Sequence, residues 1–269
     1  MSGPLSEGAD HFKRSLLGLA DVQLRVSWFD SLVQNEPTDE FAPLLDTVIA
    51  ESEISEPRAR EALVTIALWV AGTAREVDLD RLRQIAFDQR LLSLQRVIRR
   101  VPPPSRPPGT VAKIPDYGAG RELTLGERRS LARRSDRRGF DALLRDPHPM
   151  VVRELLTNPK LTENDVVRVA AHRPARPECI EAIARTRWLT RRRVRMSVLS
   201  NPGSPPAVAL PLVGLCTRAE LLELMRGGDV PVIVRVTAGE LVQRRLPLRE
   251  PEDSEPPGSG PGPSERILQ

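Results

Sequence analysis

The sequence predicts an all-α protein: an N-terminal helical bundle and a C-terminal stack of short helical repeats, joined by a proline-rich linker and followed by an acidic tail. Three observations carry this. Apolar residues recur at helical spacing through most of the chain. Aromatic residues make up only 3% of the 269, and Leu, Ala, Arg and Glu dominate over the β-branched and aromatic runs that favour strands. Short sequence signatures also recur at fixed separations after residue 124.

In the first hundred residues, Phe41, Leu44, Leu45, Val48 and Ile49 form one apolar stripe behind a Thr38 cap. Ser55-Glu56-Pro57 reads as a second helix start, since proline in a first turn gives up no hydrogen bond. That helix runs through Leu63, Ile66, Ala67 and Val70 to Gly72, read as a left-handed C-terminal position. Leu79, Leu82, Ile85 and Ala86 begin a further stripe, continued by Leu94, Val97 and Ile98. Phe12 to Val33, interrupted by Gly18, reads as one helix or two. No stripe holds a heptad long enough for a coiled coil. The helical domain is therefore placed at 1–100.

Residues 101–120 read as a linker, because Pro102, Pro103, Pro104, Pro107 and Pro108 remove donors that a helix needs and favour an extended spacer. Order resumes at the capping box Thr124-Leu125-Gly126-Glu127. Pro149-Met150-Val151-Val152-Arg153 returns as Pro231-Val232-Ile233-Val234-Arg235, 82 residues on, with Asp146 and Asp229 placed to cap. Thr157-Asn158-Pro159 returns as Ser200-Asn201-Pro202, 43 residues on. Together these suggest a period of 41–43 residues over 121–246, in which each short helix hides its apolar face against a neighbour. Helices are expected near 124–134, 138–145, 149–157, 162–172, 177–186, 189–200, 205–215, 217–226 and 230–245. Residues 247–269, rich in Pro, Gly, Ser and acid, are expected to be disordered.

DPHPMVVRELLTNP, RRVRMSVLSNP and DVPVIVRVTAGELV give residues 123–245 a resemblance to the HEAT-like and leucine-rich-repeat-variant proteins. The resemblance implies an α-solenoid and says little of function. Some leucine-rich-repeat-variant proteins hold a cysteine-bound iron–sulfur cluster; Cys179 and Cys216 are too few for one, so no cofactor is expected.

The chemistry of the sequence is sparse. His11, His148 and His172 have no metal-ligand spacing, and no glycine loop follows a strand. Glu51/Glu53 and Glu220/Glu223 read as solvated helix faces. No enzyme is expected, and no catalytic, cofactor or metal residue is assigned. The start is polar, and the longest apolar run, Ala62–Ala71, is half a membrane span; a cytoplasmic, non-membrane protein is expected.

Arginine is the sharp feature. The net charge of +4 hides an acidic first hundred residues (twelve basic, sixteen acidic) and a basic stretch at 121–195 (nineteen basic, ten acidic). Arg128, Arg129, Arg133, Arg134, Arg137, Arg138, Arg187, Arg191, Arg192 and Arg195 are the candidate contacts for an anionic partner. Only three lysines occur, which an arginine-rich codon bias also explains. Arg153, Arg168, Arg195 and Arg235 read as a ladder at one repeat position. The favoured function is a helical-repeat scaffold or adaptor for a protein partner. The alternative is a nucleic-acid-binding module built on the 121–195 arginines, although Trp188 and Phe140 offer few stacking platforms. A third reading has the acidic tail mask the basic middle.

Overall fold

The computed structural model describes residues 4–101, 113–134, 136–137, 139–173 and 176–245. Within these residues every regular element is helical. The segments 102–112 and 246–269, which hold most of the expected linker and tail, and Arg138 among the candidate arginines lie outside the described residues.

The stretch from Phe12 to Val33 is two helices, α1 (Pro4–Leu17) and α2 (Val22–Asn35). They are separated by a turn in which Asp21 accepts hydrogen bonds from the amides of Gln23 (2.8 Å) and Leu24 (3.0 Å). Next come α3 (Thr38–Glu53) and α4 (Pro57–Gly72). The caps shift by one residue from expectation: Pro37 precedes α3, and the Glu56 carboxylate, not Ser55, caps α4. A carboxylate reaches two amides there, which a serine hydroxyl in the left-handed conformation of Ser55 (φ 74°) does not. Then follow α5 (Glu76–Asp88) and α6 (Leu92–Ile98), joined through Arg90 at φ 57°. The apolar stripe of α3 is buried as its spacing predicts, with Phe41, Leu45, Val48 and Ile49 all in the core.

From residue 125 the helices shorten. They are α7 (Leu125–Arg133), α8 (Phe140–Leu143), α9 (Pro149–Leu156), α10 (Glu163–Ala171), α11 (Pro177–Ala184), a 3-10 turn (Arg187–Thr190), α12 (Arg192–Leu199), α13 (Pro206–Val213), α14 (Arg218–Arg226) and α15 (Val232–Arg244). Three of them begin with a complete capping box, at Thr124/Glu127, Thr162/Asp165 and Thr217/Glu220. Helix α9 packs on α7 and α11, α10 on α12, and α15 on α13 and α14.

The spacing of these helices differs from the 41–43 residues read from the markers. Helices α9, α11, α13 and α15 begin at 149, 177, 206 and 232, a unit of 26 to 29 residues. The 82-residue return of the Pro-x-β-branched-Arg signature therefore spans three units and not two. The 43-residue return of Asn-Pro links α9 to α12, one and a half units apart. For the same reason Arg153, Arg168, Arg195 and Arg235 stand on α9, α10, α12 and α15 and form no ladder at one position. Asp229 does not cap α15; it pairs with Arg173 at 2.5 Å.

The two halves share one hydrophobic core. Helix α4 packs on α13 and α11, and α6 on α13. Two glycines permit this approach. A Cβ on Gly214 would stand 2.8 Å from Leu63 Cδ2, and one on Gly72 would stand 2.9 Å from Arg185 Cγ. Gly72 is thus required by a close neighbour and not by a left-handed backbone. Arg60 donates to the Leu215 carbonyl (2.9 Å), and Arg245 donates to the carbonyls of Gly214 (2.7 Å), Cys216 and Glu53 (2.7 Å). The carbonyls of Gly214, Leu215 and Cys216 follow the end of α13 and that of Glu53 ends α3, places where a helix leaves carbonyls without partners of its own.

Candidate functional site

The candidate arginines divide into two groups. Arg128 is buried and holds Asp146 at 2.6 and 2.9 Å; the same carboxylate accepts the Tyr117 hydroxyl at 2.5 Å and the His148 amide at 2.8 Å. Burial, then the hydrogen bond to Asp146 and its charge, push the Tyr117 phenol up, so it stays a donor. Arg129 and Arg133 both clasp Glu154 (2.7 and 2.5 Å), and Arg137 forks onto Asp165 (3.0 Å to each oxygen) above the Phe140 ring. Burial works against the Asp165 anion, but Arg137 and Thr162 outweigh it and hold the carboxyl below its ordinary range. Arg192 pairs with the buried Glu220. Five of the ten candidates are therefore engaged inside the molecule. Arg134, Arg187 and Arg191 are exposed, Arg187 lying beside Trp188, and Arg195 is half-buried with its guanidinium 3.4 Å from the Thr190 carbonyl.

Several other polar and nucleophilic side chains are tied into helix caps and the core. His148 is the N-cap of α9, its Nδ1 accepting from the Met150 amide at 3.2 Å. Burial, reinforced by the Arg128 charge, lowers its pKa. Both cysteine thiols are buried and pushed up to about 12, which keeps them protonated and unreactive. No group of three metal-ligating side chains occurs among the described residues, and none of their helices is long and apolar enough to cross a membrane. Glu53 and Glu220, read as solvated, are buried instead. Glu53 accepts from Arg96 (2.7 Å) and Ser93 (3.0 Å) and pairs with Arg244 (2.9 Å), which ties α3 to α6 and α15. Burial raises its pKa despite the two guanidiniums.

An open depression of about 600 Å³ lies where α5 and α6 meet α15. Its walls are two helix faces at i, i+3/i+4, i+7 spacing. On α5 these are Asp80, Arg83, Gln84 and Phe87; on and after α6 they are Leu92, Gln95, Arg96 and Arg99. Arg100 completes one rim and Glu240 of α15 the other. Phe87 is 74% exposed and Leu92 60%, an uncommon exposure for two large apolar side chains in one depression. Four arginines line it against two carboxylates. The contacts of Arg96 and Arg99 with Glu240 are long (3.3 and 3.5 Å), and Arg100 reaches Asp80 only at 3.8 Å. Such an arrangement can seat an apolar anchor and pair acidic groups around it.

None of these groove residues except the flanking apolar stripe drew notice in the sequence. The local arginines are diluted by the acidic balance of the first hundred residues, and exposure of Phe87 and Leu92 has no sequence signature once helical period alone is read. A second depression of about 400 Å³ lies between α1, α2 and α3 and is floored by Phe12, Trp28 and Phe41 with Glu36 and Glu40 at its edge. Compared with known proteins, the chain matches no family model, no curated sequence and no solved structure.

Proposed function

We propose that this protein is a non-enzymatic cytoplasmic scaffold or adaptor. In this reading its C-terminal half is a short α-solenoid of the HEAT-like or leucine-rich-repeat-variant kind, and a protein partner docks in the groove between α5, α6 and α15. The observation that carries it is the pair Phe87 and Leu92, exposed beside Arg99 and Arg100, whose ion pairs are long. Binding energy concentrates in a few desolvated apolar anchors, with a polar rim setting orientation. The partner that fits is a segment with an apolar side chain flanked by carboxylates.

The nucleic-acid reading is weakened because Arg128, Arg129, Arg133, Arg137 and Arg192 already have carboxylate partners. A phosphate backbone would have to compete with each of them.

The test compares proteins captured by the wild-type chain, by Phe87→Ser/Leu92→Ser, and by Arg134→Ser/Arg187→Ser/Arg191→Ser. A set retained by the triple variant and depleted at least ten-fold (about 1.4 kcal/mol) by the groove variant supports the proposal. Retention of the set by the groove variant overturns it. Wild-type retention on heparin at low salt, lost in the triple variant, would favour nucleic acid instead.

A further inference from the structure

We propose that residues 246–257 of this same chain (LPLREPEDSEPP) fold back into the α5–α6–α15 groove and compete there with the partner. The inference rests on the reading of that groove as the docking site. It differs from a tail that masks the basic 121–195 stretch, because its target is in the acidic half of the sequence.

Four observations converge. The first is where the described chain ends. Arg245 donates to the Glu53 carbonyl, and the carboxylate of the same Glu53 receives Arg96, a lining residue of the groove. The segment also leaves α15 only a few residues after Glu240, itself a lining residue of the groove. The second is length. Glu250 stands five residues beyond Arg245 and Glu255 ten, a reach of roughly 16 and 33 Å when extended. The third is charge. Glu250, Glu252, Asp253 and Glu255 complement Arg99 and Arg100, whose present contacts are long (3.5 and 3.8 Å). The fourth is apolar complement, since Leu246 and Leu248 precede the acids and can lie against Phe87 and Leu92.

Charge also decides against the other segment that leaves this rim. Residues 102–112 follow Val101 directly but carry Arg106 and no acid, so the groove arginines would repel them. Tethering through a few residues raises the local concentration of the tail to the order of millimolar, so a weak contact suffices to occupy the groove.

The test uses the full chain and a fluorescein-labelled peptide LPLREPEDSEPP added in trans, followed by anisotropy. The chains are wild type, a tail-reversed variant (Glu250→Lys, Glu252→Lys, Asp253→Lys, Glu255→Lys), and the tail-reversed variant with Arg99→Glu and Arg100→Glu. Arg99 and Arg100 lie outside the core. The expected result is binding to the tail-reversed chain at least ten-fold tighter than to wild type, and loss of that binding when the two groove arginines are reversed. Equal affinity for wild type and tail-reversed chains would overturn occupancy by the tail while leaving the groove open to a partner. Binding to neither chain would also overturn it, and the capture comparison then decides the docking reading separately. Wild-type self-association that the tail reversal abolishes would assign the tail to a second copy's groove and overturn the intramolecular form.

Discussion

Five aromatic rings meet at the centre of the first four helices, with Phe29 packed edge-on against Trp69 at 5.2 Å and Phe12 within about 6 Å of Trp28, Phe29 and Phe41. No comparable cluster occurs among the described residues after Leu125, where the core is mostly Val, Leu, Ile and Ala, with Phe140 its one fully buried ring. Helix length accounts for the contrast. Helices α1 to α5 run 13 to 16 residues, while α7 and α9 to α14 run 8 or 9. Each helix leaves four amides and four carbonyls unpaired at its ends, whatever its length. Short helices therefore carry about twice as many such end groups per residue, and side chains such as Asn158 and Asn201 meet some of them.

The sharpest way to break this contrast is to remove a ring from each half. Trp69 is buried, donates its Nε1 to Asp30 at 2.8 Å and anchors the cluster. Trp69→Ala should lower unfolding stability by about 3–5 kcal/mol in denaturant titration. Trp188 is half-buried beside Arg187, and Trp188→Ala should cost under about 2 kcal/mol because less area leaves the core. Equal losses would mean that the C-terminal half depends on aromatic packing after all.

The second prediction reverses the direction. Asn158 and Asn201 are buried and play one role twice. Asn158 Nδ2 donates to the carbonyls of Ala132 and Arg134 (2.7 Å each) while its Oδ1 accepts from the Lys160 amide (2.9 Å). Asn201 does the same with Ala170 (2.7 Å), His172 (3.2 Å) and Gly203 (3.0 Å). Each thus closes the C-terminus of a neighbouring helix, α7 or α10. Asn201→Ala or Asn158→Ala orphans one buried and one partly buried carbonyl and should cost roughly 2–4 kcal/mol. In the N-terminal half, the exposed Asn35 touches only its own helix at the Ser31 carbonyl, and Asn35→Ala should change stability by less than about 0.5 kcal/mol.

These asparagines also show what the sequence discloses and what it withholds. Thr124/Glu127, Pro149, Pro177 and Pro206 mark helix starts, because capping and proline geometry are local. The all-helical class was legible for the same reason. Asn158 and Asn201 read locally as turn formers, and they are; their second role spans 24 to 31 residues of chain and leaves no local trace. The repeated words return at a different spacing from the helix starts, because they belong to different helices. The arginines were visible, but whether Arg129 or Arg133 faces solvent depends on Glu154 standing across the gap between α7 and α9. The groove was least legible, since it is made by α15 arriving beside α5 and α6 from more than 130 residues away.

The smallest expected effect is a difference in the sign of pH dependence between the halves. Glu154, on the surface of α9, is held at about 2 by hydrogen bonds from Arg133 and then Arg129, against an ordinary value of 4.5. The unfolded chain therefore binds more protons than the folded one between these values, and Glu154 contributes stability that is complete above about 4.5 and lost as pH falls toward 2. Glu53 has the opposite sign. Burial raises its folded pKa, so the folded chain holds the proton that the unfolded chain has released, and stability falls as pH rises above 4.5 toward that raised value. Thermal midpoints of Glu154→Gln and Glu53→Gln, each subtracted from wild type between pH 2.5 and 7, should give differences that slope in opposite directions. The Glu154 difference should also shrink in 1 M salt, because its partners are solvent-screened, while the Glu53 difference should persist. Parallel slopes would mean that Arg96 and Arg244 outweigh burial at Glu53, and that the clasp joining the two halves is stabilised by the same exposed-pair electrostatics as the surface of α9.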